Sequence, residues 1–327
     1  MSNLEPEPAE FDCAAGPAAR IEILTPRDVP LGGPRAMRVQ RTLPQRQRSL
    51  IGAWCFADHY GPEDVGVRPG MDVPPHPHTG LATVSWLFDG QIEHRDSAGV
   101  HAMVNPGELN LMTAGAGICH SEVSTSATTT LHGVQLWVAL PESARHGARA
   151  FDHYAPEPIP LAAGTLRVFL GSLGGASSPV RTHTPLLGAQ LDLPAGSSAE
   201  LAVDPTFEHG VLVDEGDVHI VEQTVRRHEL AYQGTGYTTL RVHNIGPGPA
   251  RAVLLGGPPF AEELLMWWNF VGRTHDEIAE YRSQWQAESD RFGGVSGYTG
   301  SLRRIPAPPI PATRLRPHRP PMSKETP

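Results

Sequence analysis

The chain is predicted to be all-β: two tandem barrels of short antiparallel strands facing each other, with one short C-terminal helix. Three observations carry this expectation. Short runs rich in β-branched and aromatic residues recur between Gly, Pro and Asp-Gly turns, part of the pattern repeats further along the chain, and helical periodicity is credible chiefly near the C-terminus. At 327 residues the chain exceeds the size at which one hydrophobic core usually stops growing, and 39% hydrophobic residues can fill two.

The elements follow in order. Residues 1–18 are acidic (Glu5, Glu7, Glu10, Asp12) and Pro/Ala-rich, too poor in apolar area to offset the entropy of ordering, and are expected to be disordered. The first barrel is expected over 19–160. Within it Leu81–Phe88 runs into the Asp89-Gly90 turn, Gln91–His94 into a turn at 96–99, Pro106-Gly107-Glu108 leads into Leu109–Met112, and Val134–Leu140 ends at Pro141. The second barrel is expected over 161–293. There Asp214-Glu215-Gly216-Asp217-Val218-His219 echoes Phe88–Glu93, and His228-Glu229-Leu230 echoes Gly107-Glu108-Leu109. Gly171–Gly175 lacks the strand, helix and Lys of a phosphate loop and reads as the link between barrels. Thr274 and Glu277 form a Thr-x-x-Glu capping box leading into Ile278, Tyr281 and Trp285, so the helix is placed within Thr274–Phe292. Residues 294–327 read as a disordered Pro/Arg-rich tail carrying Arg314, Arg316, Arg319 and Lys324.

A net charge of −9 disfavours direct attachment to nucleic acid or to an anionic membrane, and no apolar run is long enough to span a bilayer. Cys13, Cys55 and Cys119 are too few and too scattered for a disulfide framework, so a reducing compartment is expected, with a soluble, cytoplasmic monomer as the form.

Chemistry concentrates in two short runs, Pro74-Pro75-His76-Pro77-His78-Thr79-Gly80 and Gly115-Ala116-Gly117-Ile118-Cys119-His120-Ser121-Glu122. With 16 His in the chain, roughly one His-x-His and one His-x-Glu pair arise by chance, so neither pair alone proves anything. Their setting is what raises them: each borders a strand-like run bounded by Gly or Pro, and on a strand residues i and i+2 share a face. His76 and His78 then look one way together, as do His120 and Glu122, offering three imidazoles and a carboxylate to one metal ion. His275-Asp276-Glu277, a second His-x-Glu, opens the helix instead. Cys119 faces away from His120 on its strand and reads as a core residue; His94, Arg95 and Asp96 fit a structural ion pair as well as a site; Trp267-Trp268 reads as core packing.

Gly70, five residues, then His76-x-His78 resembles the first motif of the cupins, small double-sheet jelly-roll barrels. The likeness narrows to the pirins, bicupins with metal in the N-terminal barrel. It rests on Phe56-Ala57-Asp58-His59-Tyr60-Gly61-Pro62, the Pro-His-Pro-His-x-Gly run, Ile92–Ser97, Met112–Gly117 with His120-Ser121-Glu122, and Leu131-His132-Gly133-Val134-Gln135-Leu136-Trp137. Downstream, Gly175–Pro185 and Leu254–Pro259 are similar to the pirin C-terminal domain. The resemblance implies metal on His76, His78, His120 and Glu122, with Fe(II) the expected ion and Mn, Ni, Cu or Zn as alternatives, and a second barrel without metal. It implies either a quercetin (flavonol) 2,3-dioxygenase with dioxygen as co-substrate and Glu122 as the catalytic proton acceptor, or a regulatory protein that binds a transcription factor or metabolic enzyme according to iron oxidation state. A zinc-stabilised scaffold is the third reading. In one place the chain departs from the family: Ala82-Thr83 stands where pirins commonly carry a glutamate, so any supporting or proton-transfer role of that group lacks a counterpart.

Overall fold

A computed structural model describes residues 11–13, 21–31, 37–66, 70–300 and 302–316. In the first barrel a seven-stranded antiparallel sheet runs in the order Ala150–Tyr154, Leu109–Thr113, Leu81–Asp89, Thr130–Ala139, Trp54–Asp64, Met37–Leu43, Arg27–Leu31. It packs on a four-stranded sheet ordered Asp72–His78, Ile118–Ser124, Ile92–Asp96, His101–Val104. Val39, Tyr60, Leu87 and Leu131 of the larger sheet meet Val73, Ile92, Val104 and Cys119 of the smaller one. The second barrel repeats the plan with seven strands, from Ile159–Pro160 across to Leu230–Gln233 and Glu22–Leu24, and four strands centred on Thr239–Asn244 and Val218–Ile220.

The two large sheets face each other, so Leu81–Leu87 is buried on both faces, one of them apolar and the other carrying Thr83 and Ser85. Ala82, Val84 and Trp86 look toward the second barrel, while Thr83, Ser85 and Leu87 look into the first. Between the sheets, Trp86 Nε1–H donates to Gln190 Oε1 at 2.8 Å and its ring lies 4.5 Å from that of Phe169. Trp54 Nε1–H reaches the carbonyls of Leu187 and Gly256 at 3.1 and 3.3 Å. One apolar cluster runs from Leu43, Val84 and Leu136 through to Leu170, Leu212 and Leu255, so the barrels share a core.

Three sequence expectations are modified. Glu22–Leu24 pairs with Leu230–Gln233 and so completes the second barrel's sheet, although it lies in the range assigned to the first. Phe11–Cys13, inside the expected disordered N-terminus, forms a strand against Leu264–Met266. Residues 302–316 are docked, in contrast to the expected tail: Ile305 N–H donates to Pro75 O at 2.9 Å, and Ile305, Ala307 and Leu315 are buried against the helix side of the molecule. Residues 1–10, 14–18 and 317–327, also expected to be disordered, lie outside the described residues.

The helix itself spans His275–Gln286 and carries the capping box read from the sequence, with Thr274 accepting from Glu277 N–H and the Glu277 carboxylate accepting from Thr274 N–H. It stops short of Phe292 because Ala287 caps it and Glu288 turns at φ 54°. Phe292 is nevertheless buried, with its ring 5.4 Å from that of Trp285. Trp285 also donates its indole N–H to Ile305 O at 2.8 Å, joining helix and docked segment. Trp285→Ala is therefore expected to destabilise the fold by about 3–5 kcal/mol, the usual range for a buried Trp, and to expose 302–316 to protease. Denaturant unfolding checks this, and a loss below about 1 kcal/mol would show that the segment is not held through Trp285.

Candidate metal centre

Strand register brings the two histidine motifs together. Asp72–His78 pairs antiparallel with Ile118–Ser124, setting His120 opposite His76 and Ile118 opposite His78. A bulge between His120 and Glu122 then shifts the register so that Glu122 falls opposite Val73. On its other side the same strand sets His120 against Asp96 and Glu122 against His94. Gly80 closes the first motif at φ +67°, where a Cβ would stand 2.3 Å from Val271 O; its N–H donates to Gly115 O at 3.0 Å, tying the first motif to the second.

His76, His78 and His120 converge with ring nitrogens within 4.8 Å of one another, all fully buried. Each ring is oriented through its other nitrogen. His76 Nδ1–H faces Pro74 O at 2.9 Å and His78 Nδ1–H faces Asn269 O at 3.2 Å, which assigns the proton to Nδ1 and leaves both Nε2 lone pairs pointing inward. Among the described residues His76 Nε2 has no hydrogen-bond partner, and His78 Nε2 lies 3.1 Å from His120 Nε2. Two lone pairs at that distance repel unless a proton or a cation lies between them. Nitrogens bound about 2.1 Å from one metal lie about 3.0–3.4 Å apart, so the spacing fits a metal.

Burial holds His78 neutral, pushed down to about 3, and burial together with neighbouring imidazoles holds His76 and His120 well below the ordinary histidine range. Neutral imidazole is the ligating form, so the site needs no deprotonation before it can take up an ion.

Glu122 is fully buried and belongs to a second group, His94, His120 and Glu122, that overlaps the first at His120. Ser85 Oγ lies 3.4 Å from Glu122 Oε1 and 2.9 Å from Gln135 Oε1. His94 emerges here as more than half of an ion pair. Its Nε2 lies 3.2 Å from Asp96 Oδ2 and its Nδ1 lies 3.4 Å from His120 Nδ1. Asp96 is itself anchored, its Oδ1 accepting from Ala98 and Val100 N–H at 2.8 and 3.1 Å. A proton on His94 Nε2 leaves Nδ1 to accept from His120 Nδ1–H, so an Asp96–His94–His120 chain aims His120 Nε2 into the group. The sequence signal was present in His94-Arg95-Asp96, but spacing within one strand could not show which neighbouring strand they support.

The remaining sequence readings can be placed. Cys119 faces away from His120 and packs in the core, its thiol pushed up to about 11 by burial. Ala82 lies with Val84 and Trp86 on the inter-barrel face of its strand, so of the pair Ala82-Thr83 only the second position faces the interior of the first barrel. Trp267-Trp268 packs with Phe270, as expected, and the same turn supplies the Asn269 carbonyl that orients His78.

Comparison with known proteins agrees with the fold of two similar barrels. The pirin family profile matches residues 36–138, and the profile for the pirin C-terminal cupin domain matches residues 188–293. A Pseudomonas aeruginosa protein named "Putative quercetin 2,3-dioxygenase" is 42% identical over 95% of this chain and 98% of its own length. Pirin of Homo sapiens is 32% identical over 74% of this chain and 84% of its own length. The crystal structure of a quercetin 2,3-dioxygenase from Acinetobacter baumannii superposes with a TM-score of 0.84 at 36% identity, covering 90% of this chain and 97% of that one. Two cupin barrels sharing a core, a buried cluster of imidazoles in the first of them, and matches to both family domains establish that this chain belongs to the pirin family.

Proposed function

We propose that the chain is a metal-dependent flavonol 2,3-dioxygenase of the quercetin type, with the metal held by His76, His78, His120 and Glu122 and Fe(II) as the physiological ion. The observation that carries the reading is the inward convergence of three neutral imidazole nitrogens beside a buried carboxylate. Similarity along nearly the whole chain to proteins named as quercetin 2,3-dioxygenases gives the chemistry its direction. Held by these three imidazoles and the carboxylate, the ion would supply Lewis acidity toward a flavonol hydroxyl and a redox centre for dioxygen.

The chain's own residues do the rest. Glu122 accepts the proton of the flavonol hydroxyl at a carboxylate oxygen, with Ser85 Oγ and Gln135 behind it. Gln135 and Trp137 alternate with the inter-barrel residues Val134 and Leu136, and so share the inner face of their strand. Gln135 Nε2, Trp137 Nε1 and Tyr60 Oη are buried without partners among the described residues, and supply donors for the carbonyl and hydroxyl oxygens of a flat polyphenol. Phe56 stacks on Trp137 at 4.0 Å, and the buried Arg41–Asp58 pair lies against Phe56, fixing this wall. Cys55 and Cys119 are both free thiols, and no helix of the described chain is long and apolar enough to cross a membrane, in keeping with action in the cytoplasm.

Metal content of tag-free protein should fall by one equivalent per chain in His76→Ala/His120→Ala, with a lower melting temperature, because an ion bound only by the folded state stabilises it. An unchanged metal content would remove the assignment. Metal-replete wild type should consume dioxygen with quercetin, and Glu122→Gln, compared at equal metal content, should lose about 10²–10⁴-fold in kcat. Full turnover in that variant would remove Glu122 as the proton acceptor. Absence of oxygen uptake with any flavonol in the metal-replete wild type would contradict the dioxygenase reading and favour a role in binding a protein partner.

A further inference from the structure

Two histidines of the family-like runs, His59 and His132, take no part in the site above. The structure brings them together on the outer face of the first barrel, against the second. Adjacent strands set His59 opposite Val134, with His132 two residues earlier on the same strand. Both Nε2 atoms lie 2.5 Å from one carboxylate oxygen, Asp214 Oδ1, contributed by the second barrel. All three residues are buried, Asp214 and His59 almost completely. Donor atoms held by one zinc ion lie about 3.0–3.4 Å apart, so an ion here would replace these two hydrogen bonds, with the side chains drawing back by under about 1 Å.

A fourth imidazole adjoins them. His228 sits in a turn of the second barrel at φ 69°, in the left-handed region that a non-glycine residue rarely adopts, and its ring lies 4.4 Å from that of His59. Its Nε2 is buried and has no hydrogen-bond partner among the described residues. Hydrogen bonding within the group satisfies Asp214 and leaves that nitrogen unused. The other Asp214 oxygen accepts from Arg251 at 3.0 Å, which fixes the carboxylate with Oδ1 facing the imidazoles. Arg251 is shared with Asp192 and Glu215, at 3.1 and 3.7 Å, so its charge is offset by more than one carboxylate.

We propose that His59, His132 and Asp214, whose donor atoms lie within 4.8 Å of one another, form a second metal site, for a zinc-like divalent cation, that clamps the two barrels together, with His228 turning in from beside them as the fourth donor. Nitrogen and carboxylate donors in four-coordinate array are what structural zinc takes, with an outer partner such as Arg251 orienting the carboxylate. Neither barrel supplies the set alone, so the bound ion couples their stabilities. The proposal is independent of the dioxygenase reading and of the ion in the first barrel.

The test is zinc titration of metal-stripped, tag-free, full-length protein. Two equivalents should bind to the wild type, one to Asp214→Asn, one to His59→Ala/His132→Ala and one to His76→Ala/His120→Ala. Asp214→Asn keeps the side-chain volume. His228→Gln, in a half-buried turn, should weaken the inter-barrel equivalent at least tenfold while leaving the melting temperature of the stripped protein unchanged. In the His76→Ala/His120→Ala background zinc should still raise the melting temperature, and adding Asp214→Asn should abolish that rise. Equal zinc stoichiometry in wild type, Asp214→Asn and His59→Ala/His132→Ala would overturn the proposal and leave the cluster a hydrogen-bonded contact. A change confined to the His76→Ala/His120→Ala protein would uphold the first site alone.

Discussion

Three imidazoles and a carboxylate sit at zero exposure inside the first barrel, and the architecture around them answers the expense of burying polar groups unpaired. Each such group left without a partner costs about 1–3 kcal/mol. The fold meets this through the outer nitrogen of each ring: backbone carbonyls of Pro74 and Asn269 hold His76 and His78, and the Asp96–His94 relay holds His120. The inner nitrogens keep their lone pairs, the donor set that the proposed cation would satisfy. The same contacts that reduce the burial penalty thereby pre-set the geometry for a metal.

The second barrel serves the first as a wall and a brace. Trp54, Trp86 and their partners bury the outer face of the large sheet, and the segment Leu264–Gly272 closes one end of the first barrel with the turn that presents Asn269 O. Docking of residues 302–316 extends this support. Ile305 N–H bonds to the carbonyl of Pro75, next to His76, while Trp285 and Gln286 hold the same segment from the helix. Strand, helix and docked segment thus form one connected support behind the His76–His78 motif.

Much of this was legible in the sequence because strand periodicity is local. Two residues apart on one strand means one shared face, and that alone paired His76 with His78 and His120 with Glu122. The capping box at Thr274 was equally local, and the helix begins where it says. Features set by long-range contacts were not legible: the carbonyl of Asn269, 191 residues from His78, and the choice of His120 as the neighbour of His94. The docking of 302–316 was hidden for another reason. Proline and arginine dominate its composition, while its anchoring rests on a few buried residues, Ile305, Ala307 and Leu315, and on backbone hydrogen bonds that composition does not reveal. Glu22–Leu24 misled similarly, since a three-residue edge strand carries no mark of which barrel it joins.

The function proposed for this chain depends on a single ion inside the first barrel, held by His76, His78, His120 and Glu122. Anomalous diffraction at the iron edge, from crystals of Fe(II)-loaded protein, tests it most directly. The expected result is a peak about 2.0–2.2 Å from the Nε2 atoms of the three histidines and from a carboxylate oxygen of Glu122. An iron peak that excludes Glu122, or one lying elsewhere in the molecule with these four side chains unliganded, would contradict it.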